Sequence, residues 1–322
     1  MPVPCTPGTH TCLLVFEDSD INKESELRFS SPKWRYGIPL IPVLDTADSA
    51  ACSLKGSFFR FHSFPLRMAS LPPIFYHYFR SPIPYGRAFT LQEQIHALQL
   101  ERRRASASYK DILLLLQHTP VYTFGRRQSQ AEIDAEQGRL RELDVKDAEF
   151  ILTQRGGQLT YHGPGQIVGY PLIDLARWQP AVGARDYVCK IQKTLERHLH
   201  EEHGVTHIPS EHTGVFLDER TKIASIGVQV RHRLTTHGFA MNITKEPLAY
   251  FDKVIACGLV DVQAGCIEVA AKKPVTVEGE VPGLVNKFGQ LIGREMVKLD
   301  LTERDDFSLA VEQAEKHAAA RS

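Results

Sequence analysis

The sequence predicts a mixed α/β domain over residues 71–300, and two observations carry that prediction. Strand candidates come as adjacent, hairpin-like pairs, and they are interrupted by separate segments with helical apolar spacing, which favours a mixed β-sheet flanked by helices over a purely parallel one. Composition agrees with a folded domain. The chain has 322 residues, 43% apolar and 24% charged, with 38 Lys+Arg against 38 Asp+Glu, the balance of an ordinary globular protein. That neutral balance gives no electrostatic footprint for nucleic acid, so no nucleic-acid partner is expected.

Taken in order, residues 1–70 carry Pro2, Pro4, Pro7, Pro32, Pro39, Pro42 and Pro65 without any sustained period and read as an irregular extension. Acids at Glu17, Asp18, Asp20, Glu24 and Glu26 argue against a transit peptide starting at Met1. From Ser49 to Gln92, however, there is no Asp or Glu, while Lys55, Arg60, Arg67, Arg80 and Arg87 sit among Ser, Phe and Leu. That is the composition of an organelle-targeting segment, with Met68 as an alternative start. Thr90-Leu-Gln-Glu93 reads as a capping box opening a helix to about Arg104. Asp111–Gln117 reads as a strand buried on both faces, closed by His118-Thr-Pro120, and Val121–Phe124 as a second strand ended by Gly125. Further strands are expected at 150–153, 158–161, 167–173, 215–218, 222–230 and 239–243. Helices are expected at 186–203 and 279–296, each with its apolar residues on one stripe. The charged segment 301–322 reads as a surface helix or tail.

The longest aliphatic run, Ile112–Leu116, is far short of the roughly 20 apolar residues that span a bilayer, so no membrane span is expected. Six cysteines, Cys5, Cys12, Cys52, Cys189, Cys257 and Cys266, are too sparse for a disulfide framework and none is spaced as CxxC, which points to a reducing compartment. His198, His200, His203 and His207 cluster in sequence. They read as the polar end of an amphipathic helix, with no cysteine or carboxylate placed to complete a metal shell, so no metal is expected.

The densest feature is Arg155-Gly-Gly-Gln-Leu-Thr-Tyr-His162-Gly-Pro-Gly165-Gln166. Its glycines permit positive φ and close approach of a ligand. The segment lacks both the phosphate-cradling Gly-Lys-[Ser/Thr] and the GxGxxG fingerprint. Tight structural turns and a ligand-binding loop remain equally open on these residues alone.

Residue by residue this segment resembles the signature of the lipoyl(octanoyl) transferases of lipoate biosynthesis. His118-Thr-Pro-Val-Tyr-Thr-Phe-Gly125, Lys222-Ile-Ala-Ser-Ile-Gly227, His237-Gly-Phe-Ala-Met-Asn242 and Ile255-Ala-Cys257-Gly258 resemble that family's other motifs in the same order. The resemblance covers residues 71–300. It implies a single catalytic domain similar to the biotin/lipoate-protein ligase catalytic fold. It also implies an acyltransferase that takes octanoate from octanoyl-acyl carrier protein as a cysteine thioester and passes it to a lysine of a lipoyl domain. The glycine cleavage H protein and the E2 subunits of 2-oxoacid dehydrogenases are the implied acceptors, and no cofactor is implied. Cys257 would be the nucleophile and Lys222 the cation that favours its thiolate, since a free thiol of pKa about 8.5 is only a few per cent ionised at pH 7. Substrate contact is implied for Arg155, Gly156, Gly157, Gln158, Leu159, Thr160, Tyr161 and His162, for Ser225, Ile226 and Gly227, and for Gly238, Phe239 and Ala240. One departure is Ala256, where the family commonly has proline. With the acid-free basic stretch, the resemblance implies mitochondrial localisation. The competing enzyme reading is an ATP-dependent lipoate- or biotin-protein ligase, which would not need a thioester-forming cysteine. A scaffold that only binds lipoyl domains would be expected to have lost the cysteine or the lysine.

Overall fold

All six positions of Asp111–Leu116 are buried, because this strand lies inside a sheet covered on both faces, and the rest of the chain is arranged around it. The computed structural model describes residues 71–126, 128–143, 145, 147–254 and 261–319. In chain order the elements are β1 (Ile74–Tyr78), α1 (Tyr85–Arg104), β2 (Asp111–Leu116), β3 (Val121–Phe124), α2 (Gln130–Glu142), β4 (Glu149–Leu152), β5 (Thr160–His162) and β6 (Gln166–Leu172). They continue with α3 (Ala184–His203), β7 (Val215–Phe216), β8 (Thr221–Arg231), β9 (Leu234–Asn242), α4 (Leu248–Phe251), β10 (Gln263–Ala264), α5 (Ile267–Ala271), α6 (Val277–Ile292), β11 (Met296–Lys298) and α7 (Asp306–Ala319).

The strands form two mixed sheets. The larger has the order β10-β8-β9-β6-β2-β1-β11, with β7 also paired to β8; the smaller is β4-β3-β5. In the larger sheet β2–β6, β6–β9 and β8–β9 are antiparallel, while β1–β2, β1–β11 and β8–β10 are parallel. Alternation along β2 sends Leu113 and Leu115 to one face and Ile112, Leu114 and Leu116 to the other, as the period of two requires. The first face packs under α3 and α6 through Ile191, Leu195, Leu199, Leu284, Phe288 and Ile292. The second packs under α1 and α7 through Leu91, Ile95, Phe307 and Val311. Each such side chain, fully buried, contributes roughly 1.5–3 kcal/mol. The small sheet has its own core of Tyr122, Phe124, Leu159 and Tyr161, closed by Ile133 and Leu140 of α2 and Phe251 of α4.

Several expectations need correction. Helix α1 begins at Tyr85, behind Pro84 with φ −55°, and not at Thr90; Thr90 Oγ1 donates to Gly86 O within the helix, so its capping box is not used. The helix extends backwards because Tyr85 and Ala88 bury against the sheet. The capping box that is used is Ser129 with Glu132, at the start of α2, a helix the apolar pattern did not reveal. Helix α6 stops at Ile292, where Gly293 takes φ +72°, and Met296 belongs to a strand. The charged C-terminal segment is the helix α7, whose Phe307 and Val311 are core residues.

One buried ion cluster ties the first face together. The Asp111 carboxylate, at the start of β2, takes Arg294 Nη1 at 2.5 Å and lies 3.0 Å from Arg177 Nε. It also accepts the Asp174 N–H at 3.1 Å.

Candidate active site

The register of the β8–β9 hairpin is set by a two-residue turn, His232–Arg233, with φ +53° and +65°, the geometry whose twist matches paired strands. It places Ser225 opposite Ala240 and Gly227 opposite Gly238. These four small residues share one face of the hairpin, because side chains alternate along each strand. Phe239, between two of them, is buried in the core beneath α3 and α6, and Ile226 is half-buried against it.

At the Ser225–Ala240 pair of this face lies a cavity of about 180 Å³. Among the described residues its wall takes in Lys222 and Ser225 of β8, Ala240 and Asn242 of β9 and Gln166 of β6, together with Phe251, Val254 and Val262. Cys257 itself lies outside the described residues, as do Cys5, Cys12, Cys52, Ala256, Gly258 and the whole 1–70 extension. The described chain on either side of residues 255–260, at Val254 and at Val262, reaches this cavity.

Lys222 is held by what surrounds it. Its Nζ lies over the Phe216 ring of β7, 5.3 Å from the centroid, a cation–π contact. Gly214 makes the room: at φ +136°, a Cβ there would stand 2.6 Å from Lys222 Cε and 2.5 Å from Ala224 O. Only glycine satisfies both the positive φ and that approach.

The loop 155–158 abuts the hairpin, since a Cβ on Gly227 would meet Gly156 O at 3.3 Å. Gly157 takes φ +91°, as a tight turn demands. The Arg155 guanidinium is spent on the loop and on β3, donating to Thr123 O and Oγ1 and to Gln158 O at 2.6, 2.8 and 2.9 Å. Leu159 and Tyr161 are core of the small sheet, and Thr160 pairs with Thr123. The structure therefore does not bring the 155–162 side chains to the cavity wall; of the residues singled out in sequence, Lys222, Ser225 and Ala240 line it.

Behind the loop sits a buried polar cluster. His162 Nδ1 donates to Gln166 Oε1 at 2.7 Å, Gln166 Nε2 donates to Asn242 Oδ1 at 2.8 Å, and Asn242 Nδ2 donates to Gly265 O at 3.0 Å. The relay assigns the His162 proton to Nδ1, because the Gln166 oxygen has to be the acceptor once its nitrogen is committed to donating. His118 Nδ1 donates to Ile83 O at 2.8 Å while its Nε2 accepts from Tyr170 Oη at 2.7 Å. His237, at φ +60°, pairs Nε2 with Tyr85 Oη at 3.1 Å, and its N–H donates to Gln92 Oε1 at 2.7 Å. Burial disfavours the imidazolium in all three. It holds His118 down at about 4 and His237 at about 3, the latter helped by the Arg155 charge, and His162 well below its ordinary value. The same burial pushes Tyr85 up to about 12. The cluster is neutral at pH 7 apart from Arg155.

Gln166 and Asn242 are cavity residues that the sequence reading passed over. Both stand inside the motifs quoted above, Gln166 directly after the Gly163-Pro-Gly165 turn. A second correction concerns the histidines: a carboxylate is in fact placed among them, since Glu280 of α6 accepts from both His198 and His203.

This architecture, a mixed sheet between two helix pairs with a second, three-stranded sheet, is that of the lipoate-protein ligases. The putative lipoate protein ligase Ta0514 of Thermoplasma acidophilum, solved with bound lipoic acid, superposes with a TM-score of 0.53 over 76% of this chain and 95% of its own, at 16% identity. The chain belongs to the family of the lipoyl protein ligase A/B catalytic domain, whose model matches residues 84–289. Within it the chain is an acyltransferase of the octanoyltransferase group. It is 40% identical to the octanoyltransferase of Solibacter usitatus over 217 residues, 67% of this chain and 91% of that one. It is 33% identical to the mitochondrial octanoyl-[acyl-carrier-protein]:protein N-octanoyltransferase LIPT2 of Danio rerio over 206 residues, 64% of this chain and 87% of that one.

Proposed function

We propose that the chain accepts octanoate from octanoyl-acyl carrier protein as a thioester on Cys257 and transfers it to the lysine ε-amine of a lipoyl domain. The observation that carries this is the meeting, at one cavity of about 180 Å³, of Lys222 and the chain that enters and leaves the Cys257 segment. Burying the seven alkyl carbons of an octanoyl group is worth about 6 kcal/mol at ~0.8 kcal/mol per carbon, and the small side chains of Ser225 and Ala240 leave room for them at the wall.

In the first half-reaction the Cys257 thiolate attacks the donor carbonyl, a new C–S bond forms as the donor's C–S bond breaks, and the carrier leaves as a thiol with a proton from the Lys222 ammonium, which becomes the neutral amine. The Lys222 ammonium stabilises the thiolate by charge. In the second, the acceptor amine attacks the thioester, the C–N bond forms, and Cys257 departs as thiolate. The excess proton on nitrogen goes to a base, for which neutral Lys222 is our candidate. Backbone N–H groups of the hairpin are candidates for holding the oxyanion of each tetrahedral intermediate. The neutral His162–Gln166–Asn242 relay is positioned to orient polar atoms at the cavity's edge without introducing a competing charge. Acceptors are lipoyl domains such as the glycine cleavage H protein and 2-oxoacid dehydrogenase E2 subunits, engaged transiently because each must leave after turnover.

Intact-protein mass spectrometry after incubation with octanoyl-acyl carrier protein, without ATP, tests the scheme. An octanoyl adduct removable by hydroxylamine is expected on the wild type and absent as a labile thioester from Cys257→Ser, with Lys222→Ala forming it far more slowly. Modification of a lipoyl domain only when ATP and free octanoate are supplied would instead establish a ligase. Localisation to mitochondria is supported by the acid-free basic stretch from Ser49 to Gln92 and by the mitochondrial relative. A reporter fused to residues 1–92 should enter mitochondria, and its retention in the cytosol would end that part of the reading.

A further inference from the structure

Away from the cavity, the end of α3 and the start of α6 bring three ligating side chains to one point. His198 Nε2 and His203 Nε2 stand 2.6 and 2.7 Å from the same oxygen, Glu280 Oε2. The three atoms lie within 4.8 Å of one another, and all three side chains are at most 7% exposed. The approach is built in: a Cβ on Gly283, one turn after Glu280, would stand 2.9 Å from His198 Cε1, so glycine there admits the ring.

The ring geometry fits a shared metal ion. The two imidazole centroids are 5.5 Å apart and the rings meet at 68°. Two imidazoles bound through nitrogen to one tetrahedral zinc ion, at Zn–N about 2.0–2.1 Å, hold their ring centres about 5 Å apart. Accommodation requires the two N–O separations to open to about 3.3 Å, which small rotations of the side chains supply. Two imidazoles and one carboxylate are a zinc donor set with the fourth position left for water. Local charge does not oppose a cation: Glu280 carries the negative charge, the α3 C-terminus adds its dipole, and Lys287 is engaged by Glu201 and Glu202 at 2.6 and 3.1 Å. None of the three residues lines the cavity of Lys222, so the ion would act on the fold and not on the acyl group.

We propose that His198, His203 and Glu280 bind one zinc ion that staples the C-terminal end of α3 to the first turns of α6. The full-length protein, stripped by a chelator, would be titrated with zinc chloride by calorimetry and its thermal unfolding followed with and without the ion. One high-affinity zinc per chain is expected, with a rise in the unfolding midpoint. His203→Gln and Glu280→Gln should each bind at least 10–100-fold more weakly, the range that loss of even a supporting partner produces. His200→Gln, at an exposed position on the same helix, should bind like the wild type. If Glu280→Gln does not fold, His203→Gln alone decides. Absence of a high-affinity site in the stripped wild type, or undiminished binding by folded His203→Gln, would overturn the proposal and leave a hydrogen-bonded triad.

Discussion

Acid should unfold this domain through histidines that have no room to be charged. His118 and His237 are buried and held at about 4 and about 3, against about 6.5 in an unfolded chain. An imidazole depressed in this way gains its proton only on unfolding, so the folded state is at full advantage above about pH 6.5 and loses ground as pH falls. At pH 5, 1.5 pH below the unfolded value, each costs about 2 kcal/mol at 1.36 kcal/mol per tenfold. The two together remove about 4 kcal/mol, a large part of the 5–15 kcal/mol typical of a domain, and His162 acts in the same direction. Urea unfolding followed by near-ultraviolet circular dichroism at pH 7.5, 6.5, 5.5 and 5.0 measures this, with His118→Gln as the comparison. Gln can keep both the donor to Ile83 O and the acceptor for Tyr170 Oη, but it does not titrate. Whatever the variant loses at pH 7.5, its deficit relative to the wild type should shrink by about 2 kcal/mol at pH 5. Parallel stability curves for the two proteins would refute the assignment of a buried, neutral His118.

Two further outcomes can be checked with the same material. Asp111→Asn leaves Arg294 and Arg177 facing a neutral amide in a site that excludes water, and should cost about 3–5 kcal/mol, visible in the urea midpoint. Gly214→Ala puts a Cβ 2.6 Å from Lys222 Cε and 2.5 Å from Ala224 O at φ +136°; it should cost at least about 1–2 kcal/mol of stability and lower the octanoyl-transfer rate by more than tenfold. Equal losses in Gly214→Ala and in an unrelated variant of matched stability would show that Lys222 placement is not what changed.

The strands were legible where burial alone decides them. Ile112–Leu116 has nowhere to go but inside a sheet; the expected strands at 222–230 and 239–243 left eight residues between them, whereas the second strand begins at Leu234 and pairs with the first across a two-residue turn. β1 escaped because Ile74–Tyr78 sits between Pro72-Pro73 and Pro82-Ile-Pro84 and becomes a strand only by pairing with β2 and with β11, which is more than 200 residues away in the chain. Helix α1 misled for a related reason: Thr90 and Glu93 match a local capping rule, but contacts of Tyr85 and Ala88 with distant strands outweigh it. At the site, motif resemblance singled out segments, and the fold then used their members differently. Ser225 and Ala240 face the cavity whereas Ile226 and Phe239, their immediate neighbours, do not. The resemblance implies substrate contact for Arg155, and what the sequence does not show is that folding also directs its donors to Thr123, Gly156 and Gln158. The Glu280 carboxylate was invisible beside His198 because 82 residues separate them.

One stretch of the cavity wall carries an engineering constraint. Ser225, Ala224 and Ala240 leave almost nothing to trim, so substitution at these three positions can subtract space but can hardly create it. A variant meant to admit a longer or bulkier acyl group is better carved from Phe251, Val254 or Val262, where apolar side chains large enough to shorten are present. Shorter-chain selectivity is open to both sets of positions. Directed evolution of this scaffold should therefore move toward small substrates by many routes and toward large ones by few.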